Sequence, residues 1–238
     1  MKISKSEKLP VSVIILAGGK GERIGGNKLF FSVGGKFIVE SIIEKMSGAF
    51  DEVLLCVGNG ESEKVKNVFH PLLQLYSVKL VEDRRPGRGP IEGLYSGLNA
   101  MNNKWGFAIG CDMPGTQEAV INFMWTRTVD LSEEYKVSVA CLDGHLMPLH
   151  AFYHKDCSYY INSLIEYVES ECNAMEDDDM LQSQRDRKGF NSKLKLKSFY
   201  CCTKVNIIEE SELAIIPGWR KSFTGFNTLE ELKSALCL

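Results

Sequence analysis

The apolar run at residues 11–16, ending Ile14-Ile15-Leu16, is followed without a break by Ala17-Gly18-Gly19-Lys20-Gly21-Glu22-Arg23-Ile24-Gly25-Gly26-Asn27-Lys28. A short continuous apolar run that stops at turn residues suits a strand buried on both faces of a parallel sheet. The loop after it holds five glycines and three cations within residues 18–28. Glycine lets backbone N–H groups approach an anion without a Cβ in the way. Arg and Lys add positive charge for phosphate. Strand, Gly-rich basic loop, then helix is what the first turn of a nucleotide-binding α/β domain requires. Two familiar motifs do not fit. The dinucleotide fingerprint needs a third glycine where Ile24 stands, and the Walker A loop needs Lys where Asn27 follows Gly26.

The rest of the chain repeats the alternation. Ile38, Ile42, Ile43 and Met46 recur at helical spacing after a turn at Gly34-Gly35. Residues 52–57 read as a strand and 61–73 as a helix stopped or kinked near Pro71. Residues 78–82 read as a third strand, 91–101 as a helix with Pro90 at its start, and 107–111 as a buried strand. Such spacing implies parallel strands with right-handed crossovers and ligands at the carboxyl ends of the strands. Four places are singled out: 18–28, 58–60, 83–89 and 112–114. The third is a Gly- and Pro-rich basic loop containing Asp83, Arg84, Arg85 and Arg88. In the fourth, Asp112 leaves a buried strand, where a hard oxygen ligand suits Mg²⁺. Thr116, rather than Asp112, is placed to cap the helix that starts near Gln117.

Residues 136–141 and 147–153 read as two more strands around the turn Asp143-Gly144, and 157–169 as a helix. His145 and His150 read as surface or core residues rather than acid–base groups. Residues 171–197, with the acidic run at 176–179, read as an insertion or mobile loop. Leu194, Leu196 and Phe199 begin a new apolar element. Thr228 and Glu231 form a capping box for a last helix from Leu229.

A chain of 238 residues suits one α/β domain with a modest C-terminal elaboration. A net charge of −3 offers no broad basic surface for nucleic acid or an anionic membrane. No apolar run nears the roughly 20 residues that span a bilayer, and the polar start has no signal-peptide core, so a cytoplasmic location is expected. Among the eight cysteines there is no C-x-x-C, which leaves reduced, mostly buried thiols as the expectation.

Leu16 through Lys28 also has the form L-A-G-G-x-x-x-R-[MI]-G-G-x-K, and Gly89-Pro90-Ile91-Glu92-Gly93, Cys111-Asp112-Met113-Pro114 and Pro148-Leu149-His150-Ala151-Phe152-Tyr153 follow in order. This set resembles the molybdenum cofactor guanylyltransferase, or MobA-like, family of nucleotidyltransferases. The resemblance is close over residues 11–153 and loose beyond. It implies a single Rossmann-like nucleotidyltransferase domain over residues 1–238, a three-layer α/β/α arrangement around a mostly parallel sheet. It implies transfer of GMP from GTP to molybdopterin, with Mg²⁺ as cofactor and pyrophosphate released. Arg23, Lys28 and Asp112 would be catalytic, and Asp112 would hold the metal. Leu16, Ala17, Gly18, Gly19, Lys28, Asn59, Asp83 and Asp112 would contact the nucleotide. A molybdenum insertion protein or a molybdoenzyme apoprotein would receive the product. The doubled glycine Gly18-Gly19 is the guanylyl form of the loop, since cytidylyl relatives carry Ala at the first position. Gly225 and Leu229 depart from the family's N-x-N-T-P ending. Two other readings are open at this point: a related transferase using CTP or another phosphate acceptor, and a non-catalytic accessory that binds nucleotide or cofactor.

Overall fold

The computed structural model describes residues 8–18, 28–175, 194–226 and 231. Strands β1 (Leu9–Leu16), β4 (Phe50–Val57), β5 (Lys79–Glu82), β6 (Trp105–Gly110), β7 (Tyr135–Leu142), β8 (His145–His154) and β9 (Lys204–Glu209) form one seven-stranded sheet in the order β5-β4-β1-β6-β8-β7-β9. β1 pairs in parallel with β4 and β6, and β4 with β5. Only β8 runs against its neighbours β6 and β7, while β9 is parallel to β7. The chain thus winds outward from β1 to β5, then crosses to β6 on the other side of β1. That reversal makes the carboxyl ends of β1 and β6 the switch point, where open α/β sheets form a crevice. A separate hairpin, β2 (Ser32–Val33) and β3 (Lys36–Phe37), turns at Gly34 and Gly35. Both have positive φ, 59° and 81°, as a tight two-residue turn demands.

Helices cover both faces. α1 (Ile38–Ala49), α2 (Ser62–Leu75) and α4 (Glu118–Thr126) pack on one side with Val11, Val13, Ile15, Phe50 and Phe107. α3 (Pro90–Ala100) and α5 (Cys157–Met175) pack on the other with Ile14, Leu16, Leu54 and Cys56. The alternation of β1 residues between two cores is the period of a strand buried on both faces. A short helix α6 (Glu210–Leu213) follows β9.

Three local expectations change. Pro71 does not stop α2, which runs to Leu75 as an outer helix with only Val65, Phe69 and Leu73 buried. α5 continues through Met175, and Leu194 and Leu196 are buried, so both ends of the expected 171–197 loop belong to ordered structure. Residues 176–193, with the acidic run, lie outside the described residues, as does the last helix expected from Leu229. The Thr116 hydroxyl does not cap α4. It donates to the carbonyls of Met113 (2.9 Å) and Ser222 (3.3 Å), and the Ser222 hydroxyl accepts from the Gln117 N–H at 2.8 Å. Gln117, the residue before α4, makes no side-chain cap, and its own N–H is taken by Ser222 from the far end of the chain.

Candidate active site

A cleft of about 200 Å³ opens at the switch point, lined by Leu16, Gly18, Lys28, Asp83, Gly89, Pro90, Gly93, Gly110, Cys111, Asp112 and Leu149. It gathers residues from β1, β5, α3, β6 and β8 that are far apart in the chain. Two carboxylates stand on its wall in different surroundings.

Asp112 leaves β6 through a backbone turn in which the Met113 N–H donates to the Gly110 carbonyl at 3.2 Å. The Lys28 ammonium donates to Asp112 Oδ2 at 2.6 Å and to the Phe226 carbonyl at 3.0 Å. The Phe226 N–H in turn donates to the Asp112 carbonyl at 3.1 Å. A Cβ at Gly225 would lie 3.5 Å from Asp112 Cγ, an ordinary contact distance. The C-terminal turn therefore closes over Asp112 with backbone alone, and any side chain at 225 would face the carboxylate. On the other side, Lys45 of α1 donates to the carbonyls of Pro114 (3.0 Å) and Thr116 (2.9 Å) and holds the loop after Asp112. Burial lowers the Lys45 pKa, but two of its three donors find these carbonyls.

Asp83 follows β5 directly, its N–H donating to the Val57 carbonyl at 2.9 Å. It is 8% exposed, and Oδ1 has no hydrogen-bond partner among the described residues. Burial first, then the nearby Glu92, Glu61 and Glu82, push its pKa up to about 7. Gly18 packs against it closely. A Cβ there would stand 3.2 Å from Asp83 Oδ2 and 3.3 Å from the Gly58 nitrogen.

Two arginines of this loop, Arg85 and Arg88, are tied to the helices beside it. Arg85 pairs with the fully buried Glu92 at 3.3 Å and donates to Asn162 at 3.2 Å. Arg88 binds Glu169 of α5 at 2.7 Å. Through these two pairs the loop is held to α3 and α5.

Of the expected site residues, Leu16, Gly18, Lys28, Asp83 and Asp112 line the cleft. Ala17 does not, because its methyl is in the core and its N–H donates to the Cys56 carbonyl at 2.8 Å. Asn59 also stands back. Its amide donates to the Asp83 carbonyl at 3.1 Å and so fixes the loop that carries Asp83. Gly19 and Arg23 lie outside the described residues. His150 lies in the core against Phe107 and Phe223, ring centroids 4.9 and 4.3 Å away, and burial lowers its pKa to about 3. Neither of its ring nitrogens has a partner among the described residues. Sequence reasoning missed Glu92, Glu169, Lys45 and the Phe226 carbonyl. A signal existed only for Glu92, the one charged residue in the otherwise uncharged stretch 91–98.

A mostly parallel sheet with these loops at its switch point defines a nucleotide-binding α/β enzyme of the nucleotidyltransferase class. The MobA-like NTP transferase domain matches residues 13–179, more than half of the sequence, and the chain belongs to that family. A probable molybdenum cofactor guanylyltransferase of Peptoclostridium acidaminophilum is 28% identical over 233 residues, covering 96% of this chain and 90% of the relative. A protein of the same description from Natranaerobius thermophilus is 32% identical over 151 residues, 63% of this chain and 69% of its own. The fold is shared with molybdopterin-guanine dinucleotide biosynthesis protein A of Archaeoglobus fulgidus, with a TM-score of 0.69, 21% identity, and coverage of 95% and 98% of the two chains.

Proposed function

We propose that this enzyme transfers GMP from GTP to the terminal phosphate of molybdopterin. A phosphate oxygen of the acceptor attacks the α-phosphorus, the bond to the bridging α–β oxygen breaks, and pyrophosphate leaves with that electron pair. The observation that carries the proposal is one cleft with a buried, unpartnered carboxylate on one wall and an ammonium–carboxylate pair on another. Asp83 and Asp112 leave strands separated by three sheet spacings, roughly 14 Å, which suits one group for the base and one for the phosphates.

Guanine presents N1–H and N2–H side by side, two donors that a single carboxylate accepts together. Cytosine presents one amino donor beside an acceptor. A buried Asp83 with a free Oδ1 therefore favours guanine. Gly18 supports this, since a methyl group there would press on the same carboxylate. Lys28 would turn from Asp112 to the phosphates, joined by Arg23 on the strength of the loop motif. Catalysis of this kind rests on positioning and on charge stabilisation.

Asp112 fits Mg²⁺. Asp112 offers one hard carboxylate at the cleft, the kind of ligand Mg²⁺ takes alongside substrate phosphates. When bound, Mg²⁺ would neutralise charge on the phosphate oxygens. Asn59 would act through the Asp83 loop rather than by touching the nucleotide. The family match and the named relatives support an enzyme over a carrier, and a cytoplasmic setting accords with the absence, among the described residues, of a helix long and apolar enough to cross a membrane.

Thermal stability with GTP, CTP, ATP and UTP, each with and without Mg²⁺, tests the nucleotide. A ligand at about 100 times its Kd adds roughly 2.7 kcal/mol. Selective stabilisation by GTP is expected. Selective stabilisation by CTP would move the reading to a cytidylyl transfer, and none by any nucleotide would overturn it.

A further inference from the structure

The first turn of α3 meets the loop that carries Asp83 at two points. Glu92 is completely buried, and its Oε2 accepts from Arg85 Nη1 at 3.3 Å. Gly93, the next residue, packs on Asp83 itself, since a Cβ there would stand 3.6 Å from Asp83 Oδ1. α5 completes the grip. Arg85 Nη2 donates to Asn162 Oδ1 at 3.2 Å, and Arg85 Nε lies 3.7 Å from Glu169 Oε1, which also accepts from Arg88 at 2.7 Å. The Arg85 guanidinium lies 5.6 Å from the centre of the Tyr95 ring, one turn along α3 from Glu92.

Stability alone does not account for this arrangement. A buried ion pair repays its desolvation only with excellent geometry, and apolar residues of the same size often serve as well. Glu92 Oε1 has no hydrogen-bond partner among the described residues. What the pair supplies is direction, because guanidinium is a planar fork that meets oxygen acceptors at fixed angles. Arg85 stands two residues after Asp83, and the backbone of Asp83 is held from the other side. Its N–H donates to the Val57 carbonyl at 2.9 Å, and its carbonyl accepts from the Asn59 amide at 3.1 Å. Asp83 Oδ1 has no partner among the described residues. The place of that carboxylate in the cleft is therefore set by its backbone and by the groups that grip the loop.

We infer that Arg85 is a positioning residue for base selection and Glu92 its anchor: together they hold the Asp83 loop against α3, so that the Asp83 carboxylate meets a purine edge with two adjacent N–H donors at one place and angle. The inference rests on the nucleotide reading proposed above. Part of the selection then lies outside the cleft, in side chains that do not touch the base. A carboxylate gains from two parallel bonds only when both of its oxygens are in place, so a small shift of the loop costs the guanine contact before it costs packing. A base with a single donor beside an acceptor loses less.

Calorimetric titration of GTP and CTP into the full-length protein tests this. Arg85→Ala should bind GTP about tenfold more weakly, with CTP affinity within about twofold of wild type. Because that change leaves Glu92 buried and unpaired, Arg85→Met/Glu92→Leu is the companion variant, with apolar groups of similar size in place of the pair. It should melt close to wild type and show the same loss of GTP affinity. Arg85→Lys keeps the charge without the fork and should recover only part of the loss. Arg85→Ala added to Asp83→Asn should cost less than about twofold beyond Asp83→Asn alone, since the arginine acts through that carboxylate. Wild-type preference for GTP in a stable Arg85→Met/Glu92→Leu protein would overturn the inference and leave the Asp83 contact standing. So would losses that multiply in full in the Arg85→Ala/Asp83→Asn protein, and full recovery in Arg85→Lys would reduce the effect to charge and overturn it too. A wild type with no preference for GTP over CTP would overturn the nucleotide reading and the inference together.

Discussion

Asp83 and Asp112 both stand within two residues of the carboxyl end of a parallel strand, yet the fold treats them oppositely. Asp112 is partly exposed and meets an ammonium at 2.6 Å. Asp83 is buried beside Glu92, Glu61 and Glu82, with no cation in ion-pair reach among the described residues. A paired carboxylate at the surface is at rest until a metal competes for it. A buried carboxylate among other acids is kept at a cost to the folded state, which a ligand bringing two N–H donors would offset. Under the proposed function, this difference assigns the Asp112 end of the cleft to the phosphates and the Asp83 end to recognition of the base.

Removing Asp112 should have the largest effect. Asp112→Ala is expected to lower kcat by roughly 100-fold or more, the scale of losing one transition-state stabiliser, with GTP binding in the absence of Mg²⁺ little changed. Steady-state kinetics with a Mg²⁺ titration measures it, and unaltered turnover would remove Asp112 from the chemistry.

Asp83→Asn should do the reverse. GTP affinity is expected to fall by about 10- to 100-fold, the worth of one charge-assisted contact, with kcat at saturation nearly retained. CTP affinity should barely move. Equal losses for both nucleotides would break the contrast between the two ends.

The pH dependence separates the carboxylates further. Asp83 has its pKa raised to about 7 by burial and by its acidic neighbours. Folding therefore favours its protonated form, so its contribution is most favourable below the unfolded value near 4 and is lost as pH rises to about 7. Apo-protein stability should decline across that window by up to about 1.4 kcal/mol per pH unit from this group. Asp83→Asn should flatten the decline in denaturant melts. If the ionised form receives guanine as proposed, GTP should bind up to about tenfold more weakly per unit below pH 7, and that slope should vanish in the same variant.

The smallest effect concerns Gly18. A methyl group there needs a few tenths of an ångström from Asp83 and the Gly58 backbone. Gly18→Ala should cut the GTP-over-CTP preference by about tenfold, roughly 1.4 kcal/mol, with little loss of fold stability. Competition binding reads it, and an unchanged ratio would separate Gly18 from base selection.

Much of the site was legible because it is local. Gly18 and Asp112 each follow a buried apolar run, and Asp83 follows a short half-buried strand, Lys79–Glu82, which puts all three at strand ends. Other features depend on one part of the chain completing another. Thr116 had the right sequence position for a cap, but its hydroxyl turns to the carbonyls of Met113 and Ser222. Arg85 and Arg88 had the composition of a solvated loop, but Glu92 and Glu169 drew them inward. Asn59 sits at a strand end yet spends its amide on the Asp83 loop.

Periodicity and glycine placement, which act over a few residues, were enough to determine from the sequence a mostly parallel α/β sheet and the carboxylates at its strand ends, while the reversal at β1 and β6 came with the strand order of the folded sheet. Tertiary structure alone decided which carboxylate is paired and which is buried bare, and that the C-terminal turn meets Asp112 through the Gly225 and Phe226 backbone. Those outcomes depend on desolvation and on contacts between segments far apart in the chain, and neither quantity exists until the layers have packed.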